Sequence, residues 1–453
     1  MISRCRRDIL ITGNKNQTPW RPPVFKKSDF AISTLGECSI PSPILDQTFV
    51  SDEDTVSYFS DVKNITSYIE RGEEIPAFEH AGPREFIYHN PAWSRAAILT
   101  AGGLCPGLNE VIKFLTISLY RDYGVQDVYG IRYGYRGLNP AWNLAPVRLT
   151  PDVVDDIHDK GGSILGSSRG SEDVSVIVDS LKRSGINMLF CIGGDGTSRC
   201  AHEIAQEVSK RGLPISIVAI PKTIDNDISF IDRTFGFGTA VREAGQFVSG
   251  AHNEAQGAFN GLALIKVMGR DSGFIAAYTA LANPYINYCL IPEDPFSLDG
   301  SDGTKALLPN LLERMNKKHH AVIIVAEGAG QNLFASGEKR KDASGNILHH
   351  DIGVLLKSEI SKFFKEQKVE LNLKYFDLGY TIRSVRAEGE DAVFCAMLAQ
   401  NAAHAAMAGK TDVMVGHWAG DFTHVPIALA TRQRKKIDLH TPLWSCVQSL
   451  TCF

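Results

Sequence analysis

The pentapeptide Gly193-Gly194-Asp195-Gly196-Thr197 follows the continuous apolar run INMLFCI and precedes a stretch of helical period. Glycines at a strand tip let a ligand approach the backbone, and a helix starting there aims its free amides and dipole at an anion. An acid in that position can hold a Mg2+ that also touches phosphate oxygens. The next apolar run, PISIVAIP, leads into Pro221-Lys222-Thr223-Ile224-Asp225-Asn226-Asp227. Two carboxylates two residues apart suit a general base with a supporting acid or metal contact, and their mutual repulsion raises one pKa. The alternative for this segment is an Asx-rich turn that caps a following helix.

Other positions carry phosphate chemistry of the same kind. Gly102-Gly103-Leu104-Cys105-Pro106-Gly107-Leu108-Asn109 joins a strand to a helix, without being the dinucleotide or Walker pattern. Arg169 lies among small residues in GGSILGSSRG, where a guanidinium reaches a phosphoryl group unhindered. Arg270 follows the run GLALIKVMG, and Tyr380 with Arg383 follows KYFDLG. Glu327 closes AVIIVAE, placed to accept sugar hydroxyls or to pair with a cation. Each arginine alone reads as surface charge; three at loop or strand-end positions form a pattern.

These residues need a scaffold that brings strand ends together. From Arg95 onward, apolar runs ending in Gly or Pro alternate with stretches of helical period. The runs fall at 96–102, 125–131, 186–194, 214–221, 261–269, 287–293, 321–328 and 412–417. Continuous hydrophobic strands imply sheets covered on both faces. Helices are expected at 172–185, 201–212 and 351–368, the last with an apolar stripe of Ile352, Leu355, Leu356, Ile360 and Phe363. The implied architecture is α/β, two Rossmann-like doubly wound lobes with the active site between them, beyond the carboxyl ends of the strands. Residues 1–94 carry Pro-rich patches (Thr18–Pro23, Ile40–Pro43) and read as an N-terminal extension or arm. We expect a nucleotide-binding lobe at 95–235 completed by about 385–430. The sugar-phosphate lobe is expected at 236–384, completed by about 431–453. The polar stretch 330–350 reads as a long exposed loop or lid.

Composition narrows the function classes. The 453 residues are 44% hydrophobic and 22% charged, ordinary for a globular chain of two or three domains. A formal charge of −4 gives no global field for nucleic acid, and no stretch reaches the roughly 18 apolar residues of a membrane span. The apolar run near the N-terminus is too short for a secretory signal. Nine scattered cysteines with no CxxC pair fit a reducing compartment, and the expected location is cytoplasmic.

Taken in this order, the motifs over about residues 94–430 resemble the phosphofructokinase family. Particularly close are the ATP-dependent enzymes of trypanosomes and related long-chain, pyrophosphate-like lineages, which also carry an arm and a Lys in PKTIDND. The resemblance implies that Asp225 takes the proton from the 1-hydroxyl of fructose 6-phosphate, with Arg169, Gly196 and Lys222 completing the catalytic set. Asp195 would hold Mg2+. Gly103, Arg169, Gly170, Gly194, Asp195, Gly196 and Thr197 would surround the phosphates of ATP. Thr223, Ile224, Asp225, Met268, Gly269, Arg270, Glu327, Tyr380, Thr381, Ile382 and Arg383 would bind the sugar phosphate. A homo-oligomer, with a tetramer favoured, is implied as well.

Two positions bear on the donor and point in opposite directions. Family members using pyrophosphate carry Asp where this chain has Gly196, and Lys where short bacterial ATP enzymes have Gly; here that residue is Lys222. An added carboxylate both blocks and repels the α-phosphate of ATP, whereas an extra lysine only adds a cation, so ATP is expected. Two departures remain. Gly261 stands where short bacterial enzymes carry an arginine that reaches a neighbouring subunit's substrate. Only Lys113 matches their effector arginines, with Ile117 at the second place. Lipid or NAD kinases share the GGDGT-like loop but not PKTIDND, MGR and the Tyr380/Arg383 pair. An inactive regulatory subunit would not need both Asp195 and Asp225. A pyrophosphate-dependent enzyme is the remaining rival.

Overall fold

The computed structural model describes residues 25–45, 47–170, 172–301, 303–334 and 348–452. The proline-rich stretch Thr18–Pro23 and most of the 330–350 segment lie outside the described residues.

Thirteen strands in two sheets carry the site. They are β1 (Thr55–Ser57), β2 (Ala77–His80), β3 (Arg95–Thr100), β4 (Asp127–Ile131), β5 (Val147–Arg148), β6 (Met188–Gly193) and β7 (Ser216–Pro221). β8 (Gly261–Val267), β9 (Tyr288–Leu290), β10 (His320–Ala326), β11 (Asn372–Asp377), β12 (Val413–Trp418) and β13 (Asp421–Pro426) follow. The larger sheet has the order β1-β2-β13-β12-β7-β6-β3-β4-β5. Its centre, β12-β7-β6-β3-β4, is parallel, and its edge pairs are antiparallel. The smaller sheet, β9-β10-β8-β11, is parallel throughout. Every residue of β6 and β7 is buried, which is why these strands read as unbroken apolar runs.

Helices cover both faces of both sheets, as the strand composition requires. One apolar core runs continuously between the sheets, joining Val111, Ile220, Ala240, Ile265, Ala399 and Ile382. Separate clusters fill the outer faces of the large and the small sheet. The expected pair of doubly wound units is therefore present, packed through a shared middle layer. The helix expected at 201–212 is α1 (Asp195–Lys210), which begins six residues earlier because Gly194 serves as its N-cap. The helix expected at 351–368 is α2 (Ile352–Glu366), capped by Asp351, whose carboxylate accepts from Val354 N. Its inward face is Ile352, Leu356, Ile360 and Phe364, with Leu355 and Phe363 half-buried at the margin.

The N-terminal segment is bound tightly to the large sheet. β2 pairs with β13, and β1 extends the edge. Glu79 on β2 is half-buried against two cations, Lys410 Nζ at 2.9 Å and Arg84 Nη2 at 2.8 Å, and against the imidazole of His424, whose Nδ1 lies at 2.8 Å. Burial alone would raise its carboxyl pKa, but the pairing with His424 and Lys410 outweighs it and holds the value below the usual range. Phe25 and Phe78 pack on Phe230, and Tyr58 stacks on Trp418 at 5.3 Å. Phe230 adopts a left-handed φ of 62° in the loop that follows Asp227. The segment thus braces a loop of the site from behind.

His89 anchors the end of this segment. Its Nε2 lies 3.0 Å from Ser216 Oγ, which donates onward to Ala406 O, and burial pushes its pKa down to about 4. An unfolded histidine titrates near 6.5, so the unfolded state binds the extra proton first as pH falls. Stability contributed by the neutral ring is full above about 6.5 and is lost as pH drops to about 4, a cost of about 3 kcal/mol. Urea denaturation at pH 7 and pH 4 should show this loss, and His89→Gln should reduce it by a similar amount. An unchanged slope in the variant would contradict the assignment.

Candidate active site

The loops that matter all leave carboxyl ends of strands. From the large sheet come Gly102-Gly103 after β3, Gly194 after β6 and Lys222–Asp227 after β7. From the small sheet come Met268–Arg270 after β8, Glu327 after β10 and the turn Thr381–Arg383 after β11. These two sets face each other across a cavity of about 640 Å³. Of the positions singled out in the sequence, it is lined by Gly103, Arg169, Gly170, Gly194, Asp195, Gly196, Thr197, Lys222, Thr223, Ile224, Asp225, Met268, Arg270, Glu327 and Arg383.

The GGDGT loop works through its backbone. α1 starts at Asp195 with no side-chain cap, so its first-turn amides are available to a ligand at the cavity wall. Tyr135 OH donates to Thr197 O at 2.8 Å and steadies that turn. A Cβ placed on Gly196 would meet no atom within 4 Å, and its φ is not left-handed. Neither backbone nor packing demands glycine there; the missing side chain leaves volume in the cavity.

Three cations converge beside this loop. A Cβ on Gly103 would lie 3.2 Å from Arg383 Nη1 and 3.9 Å from Arg169 Nη2, and one on Gly102 would lie 3.3 Å from Lys222 Nζ. Lys222 is buried, and burial lowers its pKa, with Arg383 and Arg169 acting in the same direction against Cys105 and Asp225. Among the described residues, neither Lys222 nor either arginine is ion-paired to a carboxylate. Arg383 is half-buried and Arg169 exposed, so the cost of the cluster falls on the buried Lys222 until an anion arrives.

The segment 221–227 separates its two carboxylates by environment. Asp227 accepts from Thr223 Oγ1 at 3.0 Å and from Arg434 Nη1 at 2.8 Å. Asp225 Oδ1 is buried with no hydrogen-bond partner among the described residues. Burial, then Asp227 and Glu327, push the Asp225 carboxyl well above the aspartate range, opposed by Arg434 and Lys222. The turn-forming alternative belongs to Asn226, at φ 52°, whose Oδ1 accepts from Thr234 N at 3.1 Å. The turn thus needs neither aspartate side chain: Asp227 is held by Thr223 and Arg434, and Asp225 Oδ1 has no hydrogen-bond partner among the described residues.

Four of the expected positions lie off the cavity lining. Gly269 contributes backbone only; its φ is 123°, and a Cβ would strike Ser272 O at 2.4 Å. Tyr380 is 74% exposed and carries the Arg383 guanidinium 4.7 Å above its ring. Thr381 Oγ1 donates to Leu378 O, and Ile382 turns into the core because the short turn directs it inward. At Gly261 a Cβ would fall 2.0 Å from Ala255 O, so no side chain can project from that strand start. Lys113 donates to Asp155 O. Ile117 ends the helix Leu108–Ile117 and packs against the core.

The sequence reading missed Tyr135, Ser168 and Arg434 on the cavity wall. Arg434 sits in the run TRQRKK, which reads as a solvated basic stretch; nothing in its spacing distinguishes one arginine from its neighbours. As a check on the cation cluster, Lys222→Met should raise the unfolding free energy of the ligand-free protein by about 1 kcal/mol, since an unpaired buried charge is removed. The same variant should lose most of the Tm increase produced by tripolyphosphate. An undiminished response would remove Lys222 from the anion site.

The Phosphofructokinase family model matches residues 95–406. A relative from Borreliella burgdorferi named ATP-dependent 6-phosphofructokinase is 46% identical over 93% of this chain and 96% of its own. One of the same name from Entamoeba histolytica is 42% identical over 98% of both chains. Among solved structures, the fold is similar to a pyrophosphate-dependent phosphofructokinase from Marinobacter aquaeolei. That match has a TM-score of 0.62 and 20% identity, covering 79% of this chain and 91% of that one. A likeness at that identity speaks to the fold alone.

Proposed function

The chain belongs to the phosphofructokinase family, and from that premise we propose how its cavity performs the transfer. The reaction moves a phosphoryl group from ATP to the 1-hydroxyl of fructose 6-phosphate, giving fructose 1,6-bisphosphate and ADP, a committed step of glycolysis. The observation that carries this reading is Asp225 Oδ1, buried and without a hydrogen-bond partner among the described residues, in one cavity with Lys222, Arg169 and Arg383, none of which is ion-paired to a carboxylate among those residues.

Asp225 accepts the hydroxyl proton as the oxygen attacks. Lys222, Arg169 and Arg383 neutralise phosphate charge, and the α1 amides with Gly103, Gly170 and Thr197 cradle the nucleotide phosphates. Thr223, Ile224, Met268, Gly269, Arg270, Glu327, Tyr380, Thr381 and Arg383 surround the sugar phosphate, with Ile382 holding the turn from the core. Phosphoryl transfer asks mainly for in-line positioning and charge neutralisation, and rigid strand ends provide the first.

Mg2+ fits this donor set as a partner of the nucleotide. Asp195 offers one carboxylate on the cavity wall, and no cluster of three or more His, Cys, Asp or Glu suited to a metal occurs among the described residues. That is the ligand economy of a hydrated ion shared with phosphates. When bound, the ion withdraws charge from phosphate oxygens. The open volume at Gly196 supports ATP as donor, and Lys222 supplies an auxiliary phosphate contact rather than marking pyrophosphate use. The trypanosomal-type long-chain branch, a cytoplasmic setting and a homo-oligomer, with a tetramer favoured, complete the reading. No helix among the described residues is long and apolar enough to cross a membrane.

Asp225→Asn should reduce kcat by roughly 10²–10⁴-fold while fructose 6-phosphate still binds, as read by calorimetry. Turnover near wild type would sink the base assignment. Because the Asp225 carboxyl is raised, the base is lost by protonation as pH falls, and the acid limb of kcat/KM should lie well above the ~4 of a free aspartate. A limb near 4 would contradict the account. Gly196→Asp should depress ATP turnover far more than it alters protein stability; unchanged ATP kinetics would remove the steric argument.

A further inference from the structure

Arg434 lies beyond the matched family region and outside every motif discussed so far, yet it touches three site loops. Its Nη1 is 2.8 Å from Asp227 Oδ2 and 3.2 Å from Asp271 Oδ2, and its Nη2 is 3.5 Å from Asp195 Oδ2. Asp195 and Asp227 follow β6 and β7 of the large sheet, whereas Asp271 follows β8 of the small one. One guanidinium therefore spans both walls of the cavity.

Its backbone is pinned for this task. Arg434 forms an antiparallel bridge with Ile228. Next to it, Lys435 N donates to Asp227 O at 2.8 Å and Lys435 Nζ to Ile231 O at 2.8 Å. Three residues on, Ile437 N donates to Glu293 Oε1, which also accepts from Gly273 N in the small-sheet wall. The segment is a strap from one sheet to the other, with Arg434 at the cavity.

The three pairs differ in length. The contacts with Asp227 and Asp271 are close, while the contact with Asp195 is long and comes from the other nitrogen. Asp195 is also paired with Arg199 of its own helix at 2.5 Å, on a half-exposed surface. A divalent ion arriving at Asp195 has to compete with the Arg434 charge, and Arg434 can give up that contact and still hold the other two.

We propose that Arg434 is a positioning residue for the transfer reaction, an internal cation that ties Asp227 to Asp271 across the two sheets and holds Asp195 until a divalent ion replaces it. The inference rests on the role given above to Asp195. It makes the strap a part of the site, coupling arrival of the metal-bearing nucleotide to apposition of the sugar-phosphate wall.

The test begins with Mn2+ alone, whose binding is read by electron paramagnetic resonance without nucleotide or sugar. Removing a positive charge a few ångströms from Asp195 should make Arg434→Gln bind Mn2+ roughly three- to tenfold more tightly. A merely structural role would weaken binding or leave it unchanged, and either result overturns the proposal. In kinetics, the same variant should raise KM for fructose 6-phosphate several-fold. Arg434→Lys keeps the charge but lacks the fork that reaches two carboxylates. It should retain wild-type Mn2+ affinity and still raise that KM; a wild-type KM in the lysine variant overturns the cross-sheet tie. Should the glutamine variant fail to fold, the lysine variant carries the test through this split. A wild-type protein with no kinase activity, but with the expected Mn2+ gain in Arg434→Gln, would count against the proposed function and for the pairing.

Discussion

An uncompensated charge distribution governs this protein. Lys222, Arg169 and Arg383 point at the glycines after β3 without carboxylate partners among the described residues, and Asp225 holds one carboxylate oxygen buried with no hydrogen-bond partner among them. Each feature costs stability in the empty protein. They persist because the surrounding sheets over-determine the loops: β6 and β7 are buried along their length, and one core continues from the large sheet to the small. On the proposed function, a phosphate-bearing ligand supplies the missing negative charge and a sugar hydroxyl the missing partner for Asp225.

Supports for that arrangement come from distant parts of the chain. The N-terminal segment is joined to β13 through the half-buried Glu79 network and presses aromatic rings against Phe230. Phe230 belongs to the loop that carries Asp225. On the opposite side, the strap at 431–437 ties the same loop to the small sheet through Lys435, Arg434 and Ile437. The Asp225 loop is thus braced from behind and from across the cavity, which keeps a raised carboxyl from relaxing toward solvent.

Much of this was legible in the sequence because buried parallel strands are written as unbroken apolar runs. All eight such runs contain strands, and several of them end at the cavity lining. The early start of α1 was not legible, since Gly194 and Gly196 look like turn residues until Asp195 is seen to open a helix. The short strands β1 and β2 leave no periodicity to read. Arg434 escaped for a different reason: its role arises from three partners 207, 163 and 239 positions away, and a basic run gives no sign of which side chain turns inward. The placement of Ile382 also needed the structure, because a three-residue turn sends alternate side chains to core and cavity.

The central claim is that the cavity matches the triphosphate of ATP and the 1-hydroxyl of fructose 6-phosphate together, with volume at Gly196 for the nucleotide. The most direct measurement is fructose 1,6-bisphosphate formation from fructose 6-phosphate and Mg2+, supplying ATP and pyrophosphate in separate reactions. The account predicts product with ATP and none, or a small fraction, with pyrophosphate. Product with pyrophosphate alone would make Lys222 the marker of the donor and contradict the reading of Gly196, and no product with either would contradict the claim itself.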